Sequence, residues 1–188
     1  MAQDMGEQVM QKLLSTLSRE DVKNGAKMNF GLNLLARYRA REIGASLYGK
    51  GGALVRSGPF EGMTLLNRTL EGNVAPKLLG CYEQELHDAI ERCIKTPYEY
   101  VVNLGCGDGY YAVGLARRMP NSEIKAYDLN KGRRTLCRDA AKENGVGERV
   151  SIGMECDAEE LTALAGRRVL VVCDIEGAEA DLLPGGDW

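Results

Sequence analysis

The chain has 188 residues and a mass of 20.5 kDa, and its fractions of hydrophobic (44%) and charged (27%) residues are ordinary for a globular protein. A formal net charge of −3 gives no electrostatic reason to expect nucleic acid or an anionic membrane as a partner. No apolar run approaches the roughly 20 residues of a membrane-spanning helix, and the N-terminus lacks a secretory pattern. The six cysteines show neither CxxC pairs nor metal-ligand spacing, so we expect free thiols, no metal site and a cytoplasmic location.

Residues 1–52 are expected to form a helical extension. Apolar residues at helical spacing predict an amphipathic helix from Met5 to Leu17 and a second helix from Lys27 to Ile43, which ends near Gly44. Packing against the main fold is the favoured role of this extension. An acceptor-site cover and a dimer contact are the alternatives.

Residues 53–188 are expected to form the main domain. Short apolar runs at 53–56 and 63–66 predict a hairpin-like pair, and an apolar stripe predicts one helix from Pro76 to Ile94. Strands and helices then alternate regularly, which predicts an α/β fold: a doubly wound, mainly parallel sheet with helices on both faces. The predicted strands are Tyr100–Leu104, Ile124–Tyr127, Val150–Met154 and Val169–Cys173, and the helices between and after them are Tyr110–Met119, Lys131–Asn144, Ala158–Ala165 and Ala178–Leu183.

A glycine-rich loop joins the first predicted strand to the next helix. Gly105, Gly107 and Gly109 permit a sharp turn and close approach of a ligand, and the helix N-terminus is expected to offer free N–H groups. Such a loop can hold a nucleotide cofactor. The dinucleotide fingerprint GxGxxG would need glycine where Tyr110 stands, and Asp108 would put a negative charge beside a pyrophosphate. Both observations favour S-adenosylmethionine, a cationic cofactor, over NAD.

Acidic residues follow the second and third strands. Asp128 lies about 20 residues past the glycines, where a carboxylate can accept hydrogen bonds from ribose hydroxyls, although Asp is also a common turn residue. Asp157 is placed to accept from an adenine amino group or to cap the helix that begins at Ala158, and these two roles are compatible.

The run Asn103–Gly109, together with Asp128, Asp157 and Asp174, resembles the motif series of class I S-adenosylmethionine-dependent methyltransferases over about residues 76–183. The resemblance implies a Rossmann-like fold. The segment Tyr82–Leu86 also resembles one seen in related methyltransferases, which makes Glu83 a candidate for the amino-acid end of the cofactor. Asn103 departs from the carboxylate that the family often has, and an amide keeps the hydrogen bond but weakens the electrostatics. The expected cofactor-binding residues are Glu83, Asn103, Gly105, Cys106, Gly107, Gly109, Tyr110, Asp128, Leu129 and Asp157.

The segment Asp174–Glu179 after the fourth strand is similar to the signature of FkbM-like methyltransferases. This resemblance implies methyl transfer to an oxygen of a small molecule or sugar, with Asp174 and Glu176 as catalytic residues. Carboxylates there could act as general base, orient the acceptor hydroxyl or hold a divalent cation; alternatively, Glu176 and Glu179 complement a helix dipole. His87 is a further candidate base, although a lone helical histidine is more often a packed or surface residue.

The resemblance implies a complete sheet of seven strands in the order 3-2-1-4-5-7-6, and this sequence supplies four of them. We therefore expect a fold truncated after the fourth strand; the alternative is that the N-terminal hairpin substitutes for the missing strands. A homodimer that covers the exposed edge is a further expectation. The expected partner is a small-molecule methyl acceptor. An NAD-dependent oxidoreductase and a non-catalytic module that binds S-adenosylmethionine are the alternatives.

Overall fold

A four-stranded parallel sheet forms the centre of the computed structural model, which describes residues 5–48, 53–66, 74–156, 158–175 and 177. The strands are β1 (Tyr100–Leu104), β2 (Glu123–Tyr127), β3 (Val150–Gly153) and β4 (Val169–Cys173), in the spatial order β3-β2-β1-β4. Every neighbouring pair is parallel. This order confirms the predicted Rossmann-like arrangement over four strands.

Helices cover both faces of the sheet. The helices are α1 (Met5–Leu17), α2 (Asn24–Leu47), α3 (Val74–Leu79), α4 (His87–Lys95), α5 (Tyr110–Arg118), α6 (Lys131–Glu143) and α7 (Ala158–Thr162). Val101 points into the larger core with α5 and α6, while Val102 points into a second core with Leu164. Alternate residues of β1 are thus buried on opposite faces, as expected for a strand inside a parallel sheet.

The first two helices form an antiparallel hairpin. Leu13 of α1 lies against Gly31 of α2, where an added Cβ would come within 3.2 Å of Leu13 Cδ1, and Lys27 Nζ donates to the Leu17 carbonyl at 2.9 Å. The helix predicted for Met5–Leu17 is confirmed, and the second is longer than predicted. Within the described ranges, no helix is long and apolar enough to cross a membrane. The division of the chain at residue 52 stays a prediction.

The single helix predicted from Pro76 to Ile94 is wrong. Helix α3 ends at Leu79, and a 3₁₀ turn (Gln84–Leu86) precedes α4. The chain turns at Gly80 (φ 78°), where a Cβ would collide with the backbone carbonyl of Ser57. The carbonyl of Leu79 accepts from Ser57 Oγ at 2.6 Å instead of continuing the helix. Contact with the preceding segment therefore interrupts the apolar stripe.

The segment 53–66 is hairpin-like, as predicted. Leu54 and Thr64 form an antiparallel bridge, and Val55 N donates to Met63 O at 2.9 Å. Phe60, at the turn, is 1% exposed and lies over α5, where Gly114 provides the space for its ring. This contact anchors the hairpin-like pair beside the glycine loop.

Candidate cofactor site at the carboxyl edge of the sheet

The glycine loop, residues 105–109, leads from the carboxyl end of β1 to α5. Gly105 (φ 77°) lies so close to the end of β4 that a Cβ would collide with the backbone carbonyl of Asp174. Gly109 (φ 90°) lies against α6, where a Cβ would be 3.1 Å from Cys137 Sγ. Packing within the protein therefore requires glycine at both positions, whether or not a ligand binds.

Five backbone N–H groups in and beside this loop donate to acceptors within the protein. They belong to Gly105 and Cys106 (both to Tyr127 O), Gly107 (to Asp128 Oδ2), Gly109 (to Cys106 O) and Tyr110 (to Asp108 Oδ1), with distances from 2.8 to 3.3 Å. Of these five, only Tyr110 N belongs to the first turn of α5, so the expectation of free N–H groups at this helix N-terminus is wrong for Tyr110. A pyrophosphate needs such donors, and these five are not available to bind one.

Asp128 follows β2 and holds the loop from its other side. Its side chain accepts from Gly107 N at 3.0 Å through one oxygen and from Asn130 N at 2.8 Å through the other. Each carboxylate oxygen has further acceptor capacity, so these bonds leave room for ligand hydroxyls. The next residue, Leu129, is 74% exposed and presents an apolar surface at the same edge.

Asp108 is not an isolated negative charge. Lys77 Nζ lies 3.0 and 3.1 Å from its two carboxylate oxygens, and the two side chains are only 3% and 8% exposed. The same ammonium lies 5.1 Å from the ring centroid of Tyr82 and 5.4 Å from that of Tyr110. Because Lys77 balances the charge, Asp108 does not argue against a pyrophosphate, contrary to the sequence analysis. Lys77 is 31 residues away in sequence, and no motif signals the pairing.

Asn103 lies inside β1, close to the loop, and is 1% exposed. Its Nδ2 donates to Val172 O at 3.3 Å. Its Oδ1 is buried and has no hydrogen-bond partner among the described residues. Buried acceptors are normally satisfied, so this oxygen suits an ammonium donor such as the amino group of S-adenosylmethionine.

Aromatic side chains pack beside the loop. The ring of Tyr110 meets Phe60 and Tyr82 edge to face, with centroids 5.1 and 5.4 Å apart, and burial raises the pKa of Tyr110 to about 12. Tyr111 donates a short hydrogen bond to Glu83 Oε2, and burial together with this bond raises the pKa of Tyr111. Glu83 is thereby fixed beside the N-terminal turn of α5.

The expected catalytic segment is described only in part. Asp174 N donates to Leu104 O at 3.0 Å, which places Asp174 directly beside the glycine loop, and its side chain is exposed. Glu176 and Asp157 lie outside the described residues. Within the described ranges, no three His, Cys, Asp or Glu side chains are grouped as they would be to hold a metal.

His87 and the cysteines have structural surroundings. His87 Nε2 donates to the Tyr82 carbonyl at 3.1 Å, which is the contact of a packed histidine. All six cysteines are free thiols. Contact with Cys137, followed by burial, raises the pKa of Cys106. Cys106 therefore behaves as a small apolar residue rather than a nucleophile.

Residues 101–181 match a protein family described as a methyltransferase domain. The matched region contains the glycine loop and the ends of all four strands that position it. This match supports the expectation of a methyltransferase domain in this region. No match is found among curated proteins.

Solved structures with a similar chain trace include YjhP from E. coli, at 25% identity over 40% of this chain and 30% of that one, with a TM-score of 0.33. The O-methyltransferase TomG from Streptomyces achromogenes, in complex with S-adenosylmethionine, is 19% identical over 51% and 46%, with a TM-score of 0.38. Cofactor-bound Rv0187 from MTB is 14% identical over 86% and 65%, with a TM-score of 0.42. The chain covers less than two thirds of each of these three proteins.

Proposed function

We propose that this protein is an S-adenosylmethionine-dependent methyltransferase that transfers a methyl group to a hydroxyl oxygen of a small molecule or sugar. The methyltransferase family match over residues 101–181 supports the reaction class. The FkbM-like signature at 174–179 supports the choice of oxygen, and six free thiols are consistent with the reducing cytoplasm.

The choice of cofactor rests mainly on the hydrogen bonding of the glycine loop. The N–H groups of Gly107, Gly109 and Tyr110 are engaged within the protein, which leaves a pyrophosphate without those three donors. S-adenosylmethionine carries no phosphate and does not need them. Its ribose hydroxyls would instead donate to Asp128, whose two oxygens retain acceptor capacity. Hydrogen bonding replaces the earlier argument that the charge of Asp108 would repel a pyrophosphate, because Lys77 balances that charge.

Further residues suit the other parts of the cofactor. The unpartnered Oδ1 of Asn103 would accept from the amino group, with Glu83 supplying negative charge at the same end. Leu129 would lie against the adenine, and Asp157 would accept from its amino group. The backbone of Gly105, Cys106 and Tyr110 would shape the floor, since the Tyr110 ring is directed into the aromatic cluster.

We assign Asp174 and Glu176 to the acceptor side of the site. The bound cofactor supplies an electrophilic methyl group on a sulfonium. Asp174, held at the loop through its backbone bond to Leu104, would accept the proton of the acceptor hydroxyl as the oxygen–carbon bond forms. Glu176 would orient that hydroxyl. Most of the rate enhancement would come from alignment of the two reactants.

The proposal is tested by consumption of S-adenosylmethionine in the presence of pooled hydroxylated small molecules and sugars. We expect acceptor-dependent formation of S-adenosylhomocysteine, reduced by at least about 100-fold in Asp174→Asn if that carboxylate is the base. Cofactor binding without turnover of any acceptor would instead support the non-catalytic module. A saturable change in NADH fluorescence on titration with the protein would support the oxidoreductase.

A further inference from the structure

Helices α1 and α2 each carry a column of exposed apolar side chains with identical spacing. The columns follow the pattern Met-x3-Leu-x2-Leu: Met10 (53% exposed), Leu14 (56%) and Leu17 (41%) on α1, and Met28 (61%), Leu32 (63%) and Leu35 (45%) on α2. Helical residues three and four apart share a face. Each column is therefore a continuous apolar strip along its helix.

The two columns lie on the same side of the helical hairpin. Leu13 on α1 and Gly31 on α2 lie against each other where the two helices meet. Leu14 follows Leu13 by one position, and Leu32 follows Gly31 by one position. One position is a rotation of about 100°. Because the two helices run in opposite directions, a rotation of about 100° away from their contact points to the same side of the hairpin on both helices. Both columns therefore lie on that side. We call these six side chains the hairpin face.

The hairpin face is large for an exposed apolar patch. Six side chains that are each about half exposed present on the order of 600 Å² of apolar surface. The largest patch on an ordinary monomer is about 300–600 Å², and a standard interface buries about 800 Å² per partner. The hairpin face is therefore as large as the largest patches on ordinary monomers and amounts to about three quarters of one side of a standard interface.

Charge is absent from the hairpin face. No residue from Met28 to Leu35 is charged, and the only charged residue from Met10 to Leu17 is Lys12. Lys12 is two positions from Met10, about 200° around the helix, and thus on the opposite side. An uncharged apolar centre is typical of a protein–protein contact and unlike a nucleic-acid or anionic-lipid surface.

We propose that the hairpin face binds the hairpin face of a second copy of this chain, so that two hairpins form a four-helix bundle. Two matched columns make the surface self-complementary, which is the property that a two-fold dimer requires. Four antiparallel helices with a shared apolar centre are a common stable arrangement. This interface takes up the dimer contact that the sequence analysis gives as one alternative role of the helical extension. It is separate from the open edge of β4, where the sequence analysis also expected a dimer contact.

The test is sedimentation velocity of the full 188-residue chain across the micromolar range, alongside two double variants. In Leu14→Glu/Leu32→Glu, a carboxylate replaces one exposed leucine in each column, and we expect dimerisation to weaken by at least about 100-fold. The matched control, Ser15→Glu/Asn33→Glu, adds the same charges about 100° away on the same helices. We expect the control to dimerise like the wild type. Circular dichroism of the monomeric variant is expected to match the wild type, because Leu14 and Leu32 face solvent in one copy.

Three outcomes would overturn the proposal. The first is a wild-type chain that is monomeric throughout the concentration range. The second is a dimer that both double variants retain, which would move the interface elsewhere, for example to the β4 edge. The third is a ladder of larger species, which a closed two-fold contact does not produce. If the leucine variant proves unfolded, Met10→Lys/Leu35→Lys examines the same face at its other end, with the same expected loss.

Discussion

Lys77 Nζ lies 3.0 Å from Asp108 Oδ1 and joins α3 to the glycine loop in surroundings that are almost closed to solvent. Asp108 Oδ1 also accepts from Tyr110 N at the start of α5. The pair therefore connects the segment before the sheet to the turn that shapes the candidate cofactor site.

Lys77→Met would leave the Asp108 carboxylate buried without its counter-charge. We expect a loss of about 3–5 kcal/mol in the free energy of unfolding, measured by urea denaturation. The double variant Lys77→Met/Asp108→Asn removes both charges and should recover much of this loss. Asp21→Asn, which breaks the exposed pair with Arg19, serves as the control and should leave stability unchanged. The loss of stability in the double variant should be smaller than the sum of the losses in Lys77→Met and Asp108→Asn measured separately. A double-variant loss equal to that sum would contradict a coupled ion pair.

Gly105→Ala tests the close approach of the glycine loop to the end of β4. The substitution adds the cost of a left-handed backbone, about 1–2 kcal/mol, to a collision with the Asp174 carbonyl. Gly166→Ala is a matched control, because Gly166 has a similar φ of 79° but no atom within 4 Å of the position that an added Cβ would take. In urea denaturation, Gly105→Ala should be clearly more destabilising than the control. Equal losses of stability in the two variants would show that the contact with Asp174 does not contribute to the free energy of unfolding.

The buried ring of Tyr110 predicts a loss of stability in alkali. Its pKa rises from 10.0 to about 12 in the folded protein, so the folded state holds the proton more tightly than the unfolded state does. The resulting stabilisation is present below pH 10 and is lost as the pH rises from about 10 to about 12. Thermal unfolding across this range should show a steeper decline for the wild type than for Tyr110→Phe. Parallel curves would contradict the burial of the hydroxyl.

Tyr111→Phe removes the hydrogen bond that fixes Glu83 without removing its charge. If Glu83 binds the amino end of the cofactor, Glu83→Gln should weaken the binding of S-adenosylhomocysteine by about 10-fold. We expect Tyr111→Phe to weaken it by less, because the charge of Glu83 remains. Titration calorimetry of both variants provides the comparison. A Glu83→Gln variant with wild-type affinity would remove Glu83 from the site.

The sequence specified the sheet because strand and helix periodicities repeat regularly from Tyr100 onward, and parallel strands tolerate few other arrangements. The prediction of a single helix from Pro76 to Ile94 failed at Gly80, because a contact with Ser57 ends α3 there. Such a contact is distant along the chain and leaves no periodic signal.

Asp128 and the glycines were recognisable because their chemistry depends on local spacing. The pairing of Asp108 with Lys77, and the internal use of the loop N–H groups, depend on three-dimensional packing. These two features change the argument for the cofactor from charge to hydrogen bonding, while the expected cofactor stays the same.

The central claim, a site for S-adenosylmethionine built around Asp128, is tested most directly by titration calorimetry with S-adenosylhomocysteine. Asp128→Asn keeps a carbonyl oxygen that can accept from the loop but removes the charge and half of the acceptor capacity. We expect saturable binding by the wild type, weakened by about 10- to 100-fold in Asp128→Asn. Absence of binding by the folded wild type, or equal affinity in the two proteins, would contradict the account.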